Sequence, residues 1–293
     1  MVFYPLNEKG DPMKRSEIRF GVIIVITFAI VGSAASVIFS RFIDFSSSNK
    51  IETTAPKTKP PGGTVYYNPP LPQDAPANII DAVMLGYNIM TDTRKYAAGY
   101  IGNRLNCDDC HFRGGITEGG KNGGLSLVGV ATKYPEYRKQ ANGISDLISR
   151  TNSCFEKSMN GKPLPSDSKE MIALVTYYQW ISKGLPIYED IPWLGIKLIK
   201  IAHTPEPGNG KQIFSRQCAV CHGINGDGTL RAPPLWGSGS FNDGAGMNKV
   251  DNLAAFAFQN MPRTNPYLTA EQALDMAAFV SAQPRPHFTS KKK

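Results

Sequence analysis

The apolar positions of the chain fall into two patterns. One is an uncharged run, Gly21 to Ser40, of 20 positions, about the length a helix needs to cross a ~30 Å hydrocarbon layer. The other is helical periodicity: Ile79, Ile80, Val83 and Tyr87 recur at helix spacing, as do Met171, Leu174, Val175, Tyr178 and Ile181. Ile144 to Ser149 also suits a short helix. A second helical unit is expected from near Lys211. It closes on Thr269-Ala-Glu-Gln272, a capping-box pattern that leads into Ala273, Met276, Ala277 and Val280 on one face. Period-two alternation is scarce, so the expected fold is all-α, two helical domains with long irregular loops.

Lys14, Arg15 and Arg19 precede the uncharged run, which places the N-terminus in the cytoplasm and the remainder outside it. A cleaved signal peptide is the competing reading, because Ser33-Ala34-Ala35 supplies small residues near a cleavage site. Both readings export the chain. The expected order is a cytoplasmic N-terminus (1–20), a transmembrane helix or signal anchor (21–40), a Pro/Ser/Thr-rich tether (41–77), a first domain (78–186), a linker (187–207), a second domain (208–286) and a basic tail (287–293). The linker reading rests on the stretch Gly184 to Gly210, which carries Pro186, Pro192, Pro205 and Pro207. Localisation is then the inner membrane, single-pass, with the domains in the periplasm.

Composition changes this picture little. In 293 residues there are 32 Lys+Arg against 24 Asp+Glu, a net charge of +8. The positive charge is scattered, with no basic helix or aromatic-interleaved stripe of the kind nucleic acid requires. Small anions are compatible partners for such a surface.

The five cysteines carry the chemistry. Cys107-Asp-Asp-Cys110-His111 and Cys218-Ala-Val-Cys221-His222 are two copies of C-x-x-C-H, 111 residues apart. That is the attachment signature of c-type haem: two thiols bond the vinyl groups and the adjacent His supplies an axial nitrogen. A zinc site would need tetrahedral N/S ligation, and a redox dithiol normally sits beside a βαβ unit. Two copies that both end in His, in an exported chain, favour haem over either. A covalently held porphyrin also lets small domains be stable on modest apolar content.

After His222 come Arg231-Ala-Pro-Pro-Leu235 and then Phe258-Gln-Asn-Met261-Pro262, with Met261 lying 39 residues beyond that His. The trio resembles the class I cytochrome c pattern. It implies that a Pro carbonyl near Pro233-Pro234 orients His222 and that Met261 is the sixth ligand, with Met247 as the competing candidate. Cys154 is left without a partner. From the residues alone it is an inert buried thiol, an intermolecular disulfide or a thiolate on the first iron, which would lower that haem's potential. His203 in the Pro-rich crossover and Lys249 read as surface residues; His287 has no assigned role.

Three stretches extend the resemblance: Tyr100-Ile-Gly-Asn-Arg-Leu-Asn-Cys107, Tyr134-Pro-Glu-Tyr-Arg138, and Arg150-Thr-Asn-Ser-Cys154-Phe-Glu-Lys-Ser158-Met-Asn-Gly161. With them the sequence from about Ile79 to Gln283 is similar to the dihaem thiosulfate dehydrogenases, which couple two thiosulfates into tetrathionate. The resemblance implies two covalent haem c groups and makes Cys154 the distal ligand of the first haem and the site of sulfur chemistry. Arg150 and Ser158 would line that site, and Arg138 would add a cation for sulfonate oxygens. Lys139 and Gln140 stand where that family often has a further arginine. The implied enzyme is an oxidoreductase delivering electrons to a small c-type cytochrome or a terminal oxidase. The alternatives are a non-catalytic dihaem carrier, a tetrathionate reductase, and a related sulfur-compound cytochrome.

Overall fold

The computed structural model describes residues 67–139 and 142–289. The uncharged run at 21–40, Gln140 and the terminal lysines lie outside the described residues. Among the described residues no helix is long and apolar enough to cross a membrane.

The first half is organised by α1 (Ile80–Thr91) and, far along the chain, α3 (Lys169–Ile181). In α3 the Ser168 hydroxyl accepts the Met171 N–H at 3.2 Å, capping a helix whose buried Met171, Leu174, Tyr177 and Ile181 share one face. Against that face α1 sets Val83, Gly86, Ile89 and Met90. Gly86 is required there, because a Cβ would stand 2.4 Å from the Ala173 carbonyl oxygen. The two helices therefore approach backbone to backbone at this point. Between them lies a long irregular stretch, with a short ribbon of β1 (Glu136–Arg138) and β2 (Gly143–Ser145) and the helix α2 (Leu147–Ser153).

The ribbon corrects the expected helix at Ile144 to Ser149. Ile144 pairs with Tyr137 across the antiparallel ribbon, and the helix starts only at Leu147. The reason is local: the Asp146 carboxylate accepts the Ser149 N–H at 2.6 Å, which makes Asp146 the N-cap and forces extended backbone before it. Within the stretch read as tether, residues from Tyr67 onward pack on the body. The Tyr67 ring stacks on Trp193 at 6.3 Å and the Trp180 indole N–H donates to the Leu71 carbonyl at 2.9 Å.

The second half packs α4 (Pro207–Ile213) and α5 (Val250–Asn260) on α6 (Ala270–Ser281). Helix α4 begins four residues before the expected Lys211, with Pro207 in its first turn, where a missing N–H costs nothing. The capping box is present: Thr269 accepts from the Gln272 N–H at 3.2 Å and Gln272 returns the bond at 3.0 Å. Gly210 repeats the role of Gly86, since a Cβ would lie 2.0 Å from the Asp275 carbonyl oxygen. Phe214, Leu253, Ala254, Ala277 and Val280 form this half's core.

His203 departs from its expected solvated state. Its Nε2 lies 2.7 Å from Asp275, a buried carboxylate on α6 that also accepts the Glu206 N–H at 2.8 Å. The crossover is thereby pinned to the last helix. His287, by contrast, is 80% exposed and pairs with Asp243 at 2.6 Å. Lys249 is exposed as expected.

Candidate active site and haem clefts

Cys107 opens a tight turn, Cys107–Asp109, closed by an Asn106/Asp109 capping box. Thr93 holds its sulfur and backbone: the hydroxyl donates to Sγ at 3.3 Å and accepts the Cys107 N–H at 2.9 Å. His111 Nδ1 lies 2.8 Å from the Leu125 carbonyl. A carbonyl only accepts, so that nitrogen carries the proton and Nε2 keeps a free lone pair. Burial, opposed by that bond, brings the imidazole down to about 4, so it is neutral near pH 7 and in the form that ligates a metal.

Around this turn the chain assembles the residues singled out in the sequence. Helix α2 carries Arg150, whose Nη1 donates to Cys154 Sγ at 2.7 Å. The i, i+4 spacing makes the meeting possible. The Cys154 sulfur pushes the guanidinium above its usual range, against the effect of burial. From Cys154 to Ser158 the helix widens into a π turn, with the Met159 N–H bonded to the Cys154 carbonyl at 2.9 Å. Such turns are rare and recur at functional sites. Ser158 ends the turn half-buried, its carbonyl taken by Asn103 at 2.7 Å; among the described residues its side chain bonds to neither Arg150 nor Cys154.

Arg138 on β1 points its Nη1 at the Tyr134 hydroxyl, 2.9 Å away, and at Glu136, 3.2 Å away. Part of its charge is therefore already answered by a carboxylate. Tyr134 is a residue to which the sequence assigns no role. Burial raises its hydroxyl above the usual phenol range, while Arg150 and Arg138 both pull it back, which sets it between the two cations. Tyr178 is the other unforeseen neighbour, buried on α3 and raised by burial first and then by the sulfurs of Cys107 and Cys154.

The second C-x-x-C-H begins on the last residue of a π turn, Phe214–Cys218, and continues through the single helical turn Ala219–His222. His222 Nδ1 lies 2.8 Å from the Pro233 carbonyl, the contact implied by Pro-Pro-Leu, and burial lowers its pKa. Beside it opens a largely apolar cleft of about 1230 Å³ including its open mouth. Cys218, Cys221 and His222 line it together with Leu235, Phe256 and Val280, and both Met247 and Met261 do so too. Gln217, another lining residue, keeps a buried Oε1 with no partner among the described residues. Burial lifts the Cys107, Cys110 and Cys218 thiols to about 12, surroundings that suit an uncharged thioether. An apolar cleft, a neutral His aimed by a carbonyl and two sulfurs at its rim fit a haem.

The wall of this cleft includes Asp109, Cys110 and Phe112, from the first attachment loop. The halves therefore share one site boundary, sealed by Phe112 packed edge-on against Phe256 at 6.0 Å and by the Asn260 side chain accepting the Gly124 N–H at 2.8 Å.

A family model described as "SoxA/TsdA, cytochrome c domain" matches residues 102–187, and one for cytochrome c matches residues 208–283. The thiosulfate dehydrogenase of Stutzerimonas stutzeri is 38% identical over 76% of this chain and 74% of its own length. The chain belongs to the thiosulfate dehydrogenase family. That of Allochromatium vinosum is 34% identical over 71% of this chain and 80% of its own. Among solved structures, thiosulfate dehydrogenase (TsdBA) from Marichromatium purpuratum, as isolated, aligns with TM-score 0.70 and 30% identity. The alignment covers 75% of this chain and 50% of that one, so this chain spans half its length. As in the family, the fold is that of two cytochrome c domains carrying two covalently bound haem c groups, and the chain is an oxidoreductase.

Proposed function

We propose that the chain oxidises two thiosulfates to tetrathionate at its first haem site and passes the electrons on through the second. The observation that carries this reading is the Arg150–Cys154 contact of 2.7 Å, a cation donating to a sulfur that no disulfide claims. The names of the relatives support thiosulfate as the substrate. In this reading Cys107 and Cys110 would attach the first haem, and His111 and Cys154 would hold its iron. Cys218 and Cys221 would attach the second, and His222 and Met261 would hold its iron; Met247, in the same cleft, is the alternative to Met261. Each haem, when bound, accepts one electron, and two together match a two-electron oxidation.

The chain's own residues do the rest. Arg150 donates to the Cys154 sulfur and offers its remaining N–H groups to sulfonate oxygens. Arg138 and the Tyr134 hydroxyl, 2.9 Å apart, extend that donor array. The Cys154 thiolate forms an S–S bond with the outer sulfur of one thiosulfate, and two electrons leave. A second thiosulfate attacks the same outer sulfur; the bond to Cys154 breaks, tetrathionate departs and the thiolate returns. Lys139, exposed, stands in the region where relatives often carry a further arginine. Membrane anchoring through 21–40, a periplasmic location, the stated domain boundaries and a small cytochrome or oxidase as acceptor complete the proposal.

Cys154→Gly tests it. The variant should keep two haems per chain by pyridine haemochrome yet show no growth of reduced α-bands on adding thiosulfate anaerobically. Reduction at the parental rate would refute the role of Cys154. A parent protein reduced by ascorbate but not by thiosulfate would instead point to an electron carrier.

A further inference from the structure

One cation joins the two haem sites and has no part in the sulfur chemistry. Arg263 follows Met261 by two residues. Its guanidinium lies 4.2 Å from the centre of the Phe112 ring, next to His111, and its Nη2 is 3.5 Å from Asp108 Oδ2, inside the Cys107–Cys110 loop. Asp108 is itself fixed, since its other oxygen accepts the Gly114 N–H at 2.8 Å. Arg263 and Phe112 both line the second cleft. A single side chain thus touches the attachment loop of one haem and belongs to the turn that presents the candidate axial Met of the other.

Stability does not explain the arrangement. Arg263 is 55% exposed, and exposed ion pairs contribute roughly 0–1 kcal/mol. Position explains it better. A positive charge near an iron in apolar surroundings favours the reduced form, and a negative charge favours the oxidised form. Asp108 and Arg263 put one of each at the boundary shared by both sites.

We propose that Arg263 is a positioning residue that sets the potentials of the two haems jointly, by holding its charge against the Asp108–Phe112 edge of the first loop while buttressing the Met261 turn. The proposal uses the two haems and the two attachment loops and is independent of the substrate.

The test is spectroelectrochemistry on the full-length dihaem protein at low ionic strength, without thiosulfate, after haem content is confirmed as two per chain. Arg263→Gln should lower both midpoint potentials, and Arg263→Lys, which keeps the charge, should leave them close to the parent. Asp108→Asn keeps the oxygen that accepts from Gly114 but loses the negative charge; it should raise the potentials, the first haem's most. Opposite signs in the Gln and Asn variants are the outcome that simple loosening of the interface cannot produce. Unmoved potentials in Arg263→Gln, or shifts of the same sign in both variants, overturn the proposal. If Arg263→Gln fails to load haem, Arg263→Leu takes its place as the neutral variant: lowered potentials support the assignment and unmoved ones overturn it.

Discussion

Arg150→Gln removes the one charged partner that the Cys154 sulfur has among the described residues. The bond is short, 2.7 Å, and lies in a site shared with buried Tyr178 and half-buried Tyr134, so water replaces it poorly. A hydrogen bond to a charged group is worth about 1.5–3 kcal/mol, which corresponds to roughly 10–150-fold in kcat/KM if the interaction is made in the transition state. Arg150→Lys keeps the charge but not the planar fork, and should fall between the two. The assay is thiosulfate-dependent reduction of ferricyanide, with kcat and KM determined separately for each variant. A loss confined to KM would assign Arg150 to uniform substrate binding; a loss in kcat would assign it to the thiolate. If Arg150→Gln stayed within twofold of the parent in both constants, the argument that the guanidinium sustains the reactive sulfur would fail.

Other expectations concern the scaffold. Gly86→Ala and Gly210→Ala should each lower the melting temperature, by overpacking of about 1–3 kcal/mol at contacts where a Cβ meets backbone carbonyls; calorimetry on the holoprotein reads this directly, and unchanged transitions would mean the helices can part freely. Asp146→Ala should lose a cap worth about 0.5–2 kcal/mol on the helix that carries Arg150. The Ser149 N–H holds the Asp146 carboxylate below its usual pKa of 3.8, so the cap's contribution is present above that value and lost as pH falls through the lower folded one. The gap in melting temperature between Asp146→Ala and the parent should therefore close on acidification, and a gap that persists at the lowest pH would contradict the assignment. Cys218→Ala with Cys221→Ala, which leaves the second cleft without its attachment sulfurs, should give a chain with one haem and reduced helical circular dichroism; full helicity would show that the apolar cleft tolerates being empty.

What the sequence revealed was mostly short-range. The two C-x-x-C-H motifs, the capping box at Thr269 and the Pro-Pro-Leu segment are local codes, and His222 with the Pro233 carbonyl at 2.8 Å is the contact that code implies. The periodicity of α1 and α3 was legible because each buries one continuous face. Ile144–Ser149 misled because its apolar spacing fits a helix, whereas the Asp146 cap and the pairing of Tyr137 with Ile144 divide it between ribbon and helix. Long-range partners carried no signal. His111 is held by Leu125, 14 residues on in a Gly-rich loop without a Pro-Pro-Leu segment. His203 meets Asp275 across 72 residues, and nothing near either residue marks the pair. The π turn at Cys154 is also invisible to a 3.6-residue period, although it ends the helix that positions the Cys154 sulfur.

The cleft wall made by Asp109, Cys110 and Phe112 also bears on what the second half could do alone. A fragment beginning at Pro207 would keep its own Cys, His and Met residues, yet one side of its cofactor would face water. Added solvent stabilises the ferric state, so the excised half would be a poorer electron acceptor than the same residues in the intact chain. The second pocket is complete only with the first loop in place. Recombining halves between relatives would then succeed only where the borrowed loop fits the borrowed cleft.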